Sequence, residues 1–143
     1  MKDSGGAAGG QMEQSLILET SFLIDFERER RRGPGLAFAF LERHRDNKLY
    51  ITHTIAGELA AGLSLSEKGG WEAFVKPFQI LAWTAEVDWA YGQTFRYLKN
   101  NGLLVGSNDI WIAATALAHK CPLVSANVAH FQRIPNLEVI AYR

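Results

Sequence analysis

Apolar positions along this chain fall into two patterns: short unbroken runs, and longer stretches in which they recur every three or four residues. The first predicts buried strands and the second amphipathic helices. Residues 15–18, SLIL, make a strand that ends at Glu19, and Thr20-Ser21 then opens a helix, FLIDFERERRR, that stops at Gly33-Pro34-Gly35. A second helix over residues 36–46 puts Phe38, Leu41 and His44 on one side with Ala37 and Phe40 beside them, and residues 49–51 form the second strand. Thr52 or Thr54 caps the helix TIAGELAAGL, whose apolar face is Ile55, Ala56, Leu59, Ala60 and Leu63. Beyond a polar loop at 64–70 and a short amphipathic turn around Trp71, Phe74 and Val75, residues 78–83 predict a third strand with Pro77 at its start.

Residues 86–100 read as a long helix ended by Asn101-Gly102. The stretch GSNDIWIAATALAHKCPLVSANVAHF follows, and the rest of the chain is organised around it. It predicts a helix over 109–119 that is apolar on almost every side, a turn at Cys121-Pro122, a strand at 123–125 and a polar corner at Asn127. A helix without a polar face must be buried, yet its first turn carries Asp109, with Ser107 or Asn108 in reach to cap it. A last strand at 137–140 closes the chain. Strands alternating with helices predict an α/β fold, a parallel sheet covered on both faces and joined by right-handed crossovers.

Composition narrows the class. A chain of 143 residues with 48% hydrophobic content is long enough for one domain with a proper core. Residues 1–11, MKDSGGAAGGQ, are glycine-rich and aperiodic and read as a tail ahead of a single domain over 12–143. Fifteen basic residues balance fifteen acidic ones, so no overall field draws the molecule to nucleic acid or to an anionic membrane. The single cysteine, Cys121, forbids an internal disulfide, and His44, His53, His119 and His130 form no zinc spacing with it. A reducing, cytoplasmic setting is the expectation, since no apolar run approaches the ~20 residues of a membrane span and the N-terminus lacks a secretory h-region.

In an open parallel sheet, ligands bind outside the carboxyl ends of the strands. Glu19 ends the first strand, Glu58 follows the second within two helical turns, Asp109 opens the helix before the fourth, and Asn127 follows the fourth. Each has a structural explanation of its own: a strand-end charge, a solvated helix margin, an acid favoured by the helix dipole by roughly 0.3–1 kcal/mol, and an N-cap. Their coincidence at one edge points elsewhere. Three carboxylates brought together repel unless a proton or cation neutralises them, and oxygen-only ligation suits Mg²⁺ or Mn²⁺ together with a substrate phosphate.

At these residues the chain resembles the PIN-domain ribonucleases and their VapC-type toxin branch. The resemblance runs through LILETSFLID, the helix carrying Glu58, and the pair formed by NDIWIAATAL (Asp109, Ile112, Ala113, Ala114) and LVSANVAHF (Val124, Ser125, Asn127, Phe131). It implies a three-layer α/β/α sandwich and a Mg²⁺- or Mn²⁺-dependent endoribonuclease acting on RNA and held silent by a cognate antitoxin. Carried over by position, Glu19, Glu58 and Asp109 are the metal ligands, Asn127 stands where the family has Asp or Asn, and Thr20 is the small hydroxyl supporting the first ligand. The departure is Glu19, where the family has aspartate; the extra methylene predicts an attenuated enzyme.

Two rivals follow. An inactive relative would keep the fold as a binding module for an antitoxin or RNA. A phosphoacceptor signalling domain would need an aspartate ending a mid-chain strand, which residues 78–83 do not offer. The arginines of ERERRR (Arg28, Arg30, Arg31, Arg32) read first as a solvated helix end and only second as phosphate contacts. Trp71, Phe74, Trp83 and Trp89 read as core or subunit-interface residues, and together with the family resemblance they suggest a homodimer.

Overall fold

The computed structural model describes residues 14–143, so the expected tail at 1–11 lies outside the described residues. Five strands form one sheet in the order β3-β2-β1-β4-β5. They are β1 (Ser15–Leu18), β2 (Lys48–Ile51), β3 (Gln79–Ile80), β4 (Leu123–Ser125) and β5 (Val139–Ala141), and every pairing is parallel. β1 lies at the centre, with Ile17 opposite Tyr50 on one side and Leu123 on the other. Leu16, Ile17 and Leu18 are all within 1% of full burial, because helices cover both faces and no position can be spared for a polar side chain.

The helices are α1 (Thr20–Arg32), α2 (Leu36–Arg43), α3 (His53–Ala61), α4 (Lys68–Val75), α5 (Ala85–Asn100), α6 (Ser107–His119) and α7 (Val128–Phe131). With the sheet between them they make the expected three-layer α/β/α sandwich. α6 buries Ile110, Ile112, Ala113, Ala114 and Ala116, as a helix without a polar face must; each fully buried isoleucine contributes about 1.5–3 kcal/mol. Among the described residues no helix is long and apolar enough to cross a membrane.

Chain direction places the crevice. From β1 the chain moves outward to β2 and β3, then crosses back to lay β4 on the other side of β1. The carboxyl ends of β1 and β4 therefore flank the point where the winding reverses, the place where such sheets bind ligands.

Local chemistry explains where elements stop. Gly33 adopts φ 128°, which a side chain resists, and the Glu29 carboxylate then accepts the N–H groups of Gly35, Ala37 and Phe38 at 2.8, 3.0 and 2.9 Å. One acid from the end of α1 thus caps the start of α2. Thr52, rather than Thr54, caps α3, its hydroxyl accepting from Ile55 N at 3.1 Å.

Several elements differ from expectation. α2 ends at Arg43, three residues early, because His44 leaves helical geometry (φ −120°, ψ 24°) and caps it. β3 covers two residues instead of 78–83: it is an edge strand paired only with β2, the ladder extends only to Leu81 N donating to Ile51 O, and Thr84 turns the chain into α5. The final strand begins at Val139, not at 137. α7 was not foreseen, since four residues are too few to show periodicity. Gly106, not Ser107 or Asn108, is the N-cap of α6, and no side chain caps it.

The C-terminus is tied to α1. Tyr142 OH donates to Asp25 Oδ2 at 2.5 Å and lies 3.2 Å from Ser21 O, while Arg143 Nε reaches Asp25 Oδ2 at 2.9 Å and Arg28 pairs with Asp25 Oδ1.

Candidate active site at the sheet's switch point

The strand-to-helix corner after β1 supplies Glu19, the N-cap residue of α1, at 5% exposure. Its side chain makes no cap hydrogen bond. Instead Oε1 accepts from Ser21 Oγ and Ser125 Oγ, both at 2.6 Å, so the ends of β1 and β4 are joined through one carboxylate oxygen. Ser21 Oγ also accepts from Ala126 N at 3.0 Å, and Ser125 Oγ from Asn127 N at 2.8 Å. Burial pushes the Glu19 carboxyl above its usual range; the serine hydroxyls work against that and the Asp109 charge adds to it.

Glu58, on α3, is held from two sides. Thr20 Oγ1 donates to Oε1 at 2.5 Å and Asn108 Nδ2 to Oε2 at 3.2 Å. Thr20 therefore supports Glu58 and not Glu19 as expected. As the first residue of α1 it faces α3, and the neighbouring Ser21, turned towards β4, takes the Glu19 role.

Asp109 lies in the first turn of α6, half-buried, with Oδ2 3.5 Å from His130 Nδ1. Burial raises its pKa first, the His130 contact lowers it, and the Glu58 carboxylate raises it again. An acid that merely complemented a helix dipole would be solvated, whereas this one is half-buried and feels a second carboxylate. Asn127 is the N-cap of α7, but its side chain caps nothing; Nδ2 lies 3.0 Å from His130 Nδ1.

Glu19, Glu58, Asp109 and Asn127 thus gather at the crevice, with repulsion linking Glu19 to Asp109 and Asp109 to Glu58. Among the described residues no three acidic, histidine or cysteine side chains close on a single point. The reason is visible in the contacts: neutral donors draw Glu19 to the serines and Glu58 to Thr20 and Asn108, while Asp109 lies against His130. Ser21, Ser125, Asn108 and His130 join the site beyond the residues expected from sequence. Ser21 and Ser125 had a signal, a hydroxyl at the end of each central strand; His130 had only its place three residues after Asn127.

The arginines of α1 are largely engaged. Arg28 pairs with Asp25, Arg31 binds Glu27 at 2.9 and 3.1 Å, and Arg30 stacks 5.6 Å from the Phe74 ring. Of the four aromatic residues expected in the core or at an interface, Phe74 is 3% exposed, and Trp71 packs on the core while its Nε1 donates to Ala56 O. They serve the core because α4 folds its apolar side against α1 and α3. Trp83 and Trp89, at 46% and 62%, are the exposed pair.

A doubly wound parallel domain with acids from three different elements gathered at its switch point is the class these features define. Residues 16–137 match the PIN domain, and the chain belongs to that family, in its VapC-type branch. It is 33% identical over 98 residues to Ribonuclease VapC2 of Rickettsia felis, covering 65% of this chain and 73% of that protein. It is 27% identical over 131 residues to Ribonuclease VapC1 of Methanocaldococcus jannaschii, 91% of this chain and 88% of the other. The crystal structure of VapBC2 from Rickettsia felis bound to a promoter DNA fragment superposes with a TM-score of 0.78 at 27% identity, over 91% of this chain and 100% of that one. VapBC-1 from nontypeable Haemophilus influenzae gives 0.76 at 25% identity, over 90% and 98%.

Proposed function

We propose that this chain is a divalent-metal-dependent endoribonuclease, the toxin of a toxin–antitoxin pair, and that Glu19, Glu58 and Asp109 hold Mg²⁺ or Mn²⁺ with Asn127 at the rim. The observation that carries the reading is the gathering of three acids along the switch-point crevice, two of them raised in pKa by burial and by a neighbouring carboxylate. Such a cluster is relieved by a hard cation, and its donors are all oxygens. The bound ion would supply the charge that activates water and stabilises a phosphodiester transition state. The protein's own part is to hold the acids apart and ready: Ser21 and Ser125 fix Glu19, and Thr20 and Asn108 fix Glu58.

The similarity to proteins named ribonucleases supports RNA as substrate, and the likeness to VapBC complexes supports an antitoxin partner. A cytoplasmic setting suits both, and Cys121 is a buried thiol pushed up to about 11. A homodimer would use the exposed Trp83 and Trp89 with Ile80 and Tyr97. Light scattering should give a mass above the 15.9 kDa of one chain; a monomer alone at high micromolar concentration would count against the dimer.

The deciding experiment is Mn²⁺ titration calorimetry with RNA cleavage, on the parent and on Asp109→Asn. The parent should bind the ion and cleave, and the variant should do both poorly. Equal Mn²⁺ binding by the two would overturn the assignment.

A further inference from the structure

We infer that His130 is the positioning residue for Asn127, orienting its carboxamide so that the oxygen, and not the NH₂ group, faces the acidic crevice. The inference rests on the reading of that crevice as a divalent-cation site.

Asn127 occupies a position where the family resemblance allows Asp or Asn, and what these two side chains share is an oxygen. Aspartate presents an oxygen whichever way it turns. Asparagine does so only if its NH₂ group is taken up elsewhere, since turned the other way it would offer a donor where an acceptor is needed. His130 Nδ1 is 3.0 Å from Asn127 Nδ2 and supplies that acceptor. Three residues along the short helix that Asn127 caps, it stands on the same side as Asn127.

The same ring nitrogen is 3.5 Å from Asp109 Oδ2, and the two contacts compete. Nδ1 carries either a lone pair or a proton, so it cannot accept from the amide and donate to the carboxylate at once. The shorter contact decides: an amide NH₂ can only donate, so Nδ1 accepts from Asn127. Asn127 Oδ1 is left with no hydrogen-bond partner among the described residues, while the backbone N–H is held by Ser125 Oγ at 2.8 Å. An anchored backbone, an occupied NH₂ and a free oxygen are what an oxygen donor at the rim requires.

The test is a double-mutant cycle on the full chain, with Mn²⁺ affinity by calorimetry as the first readout and RNA cleavage as the second. His130→Ala should weaken Mn²⁺ binding about tenfold, the lower end of the loss found when a partner orienting a metal ligand is removed. His130→Asn, which keeps an acceptor near the Nδ1 position, should restore most of it. In the Asn127→Asp background, where orientation no longer matters, His130→Ala should lose several-fold less affinity than in the parent, what remains coming from its contact with Asp109. Equal losses in both backgrounds, or no loss in either, would overturn the inference while leaving the cation site standing. A parent that binds no Mn²⁺ would instead overturn the cation reading, and this inference with it. Should His130→Ala fail to fold, His130→Asn beside Asn127→Asp still decides, because the inference requires near-parent affinity in the former.

Discussion

Two buried acids near the start of α1 have been treated in opposite ways. Glu19 and Asp25 are 5% and 6% exposed, and both are reached by hydroxyl donors. Around Asp25, burial would raise the pKa, but the Tyr142 hydrogen bond and the Arg143 and Arg28 charges outweigh it and hold the carboxyl low. Around Glu19 the donors are neutral serines and the charge in reach is Asp109, so burial prevails and the carboxyl rises. Ser21 touches both neighbourhoods: its carbonyl lies 3.2 Å from Tyr142 OH, and its hydroxyl donates to Glu19. This protein can neutralise a buried acid with its own cations, and at the crevice it does not. An acid left uncompensated by the fold is one that an external cation can compensate.

The largest expected effects come from removing one charge from each neighbourhood. Asp109→Asn should cut RNA cleavage by at least roughly 10²-fold, the scale of losing a group placed for the transition state, while the metal-free melting temperature stays level or rises. Asp25→Asn should do the reverse. It leaves Arg143 and Arg28 without their carboxylate and should cost about 1–3 kcal/mol of stability in a denaturant titration, with cleavage well below the melting temperature unchanged. If Asp109→Asn destabilises as much as Asp25→Asn, the crevice acids are structural and the contrast collapses.

Much of this contrast was legible in the sequence, but unevenly. The acids at the crevice could be placed because strand ends and helix starts are marked by local signals, unbroken apolar runs and the Gly106 to Asp109 corner, and a parallel sheet carries all such ends to one edge. The Asp25 network could not, because Asp25 and Tyr142 are 117 positions apart and meet only through the fold. Thr20 supports Glu58 and not Glu19 for a related reason: adjacent residues at a helix start point in different directions, and sequence does not say which faces α3. The third strand was overextended because its apolar residues do pack, Trp83 against Trp111 at 4.6 Å, but without strand pairing. Apolar runs report burial more faithfully than they report hydrogen bonding.

A smaller effect tests whether Glu19 is a weakened ligand. Its extra methylene displaces the carboxylate by about 1 Å relative to aspartate, a misplacement that can matter greatly at a reacting centre. Glu19→Asp should cleave RNA at least roughly tenfold faster with Mn²⁺, about 1.4 kcal/mol in barrier, and Glu19→Gln should be slowest. The serine hydroxyls at 2.6 Å give the opposite outcome a meaning: if the aspartate form is slower, Ser21 and Ser125 are fitted to glutamate and the enzyme is not attenuated. Three equal rates would remove Glu19 from the site.

The smallest effect is on the pH dependence of stability, and its sign differs between the two acids. Glu19 has a folded pKa above its ordinary 4.5, so the folded state holds the proton more tightly. Its contribution is present in full below 4.5 and is lost as pH rises through the folded value. Asp25 has a folded pKa below its ordinary 3.8, so its contribution is present above 3.8 and is lost as pH falls through the folded value. Metal-free protein should therefore gain melting temperature relative to Glu19→Gln as pH falls from 7 towards 4.5. Further acidification should erase its advantage over Asp25→Asn. Saturating Mn²⁺ should reverse only the first trend, because a bound cation favours the ionised Glu19 and leaves Asp25 untouched. If Mn²⁺ alters both curves alike, the ion acts on the molecule at large and the two neighbourhoods are not the separate systems described.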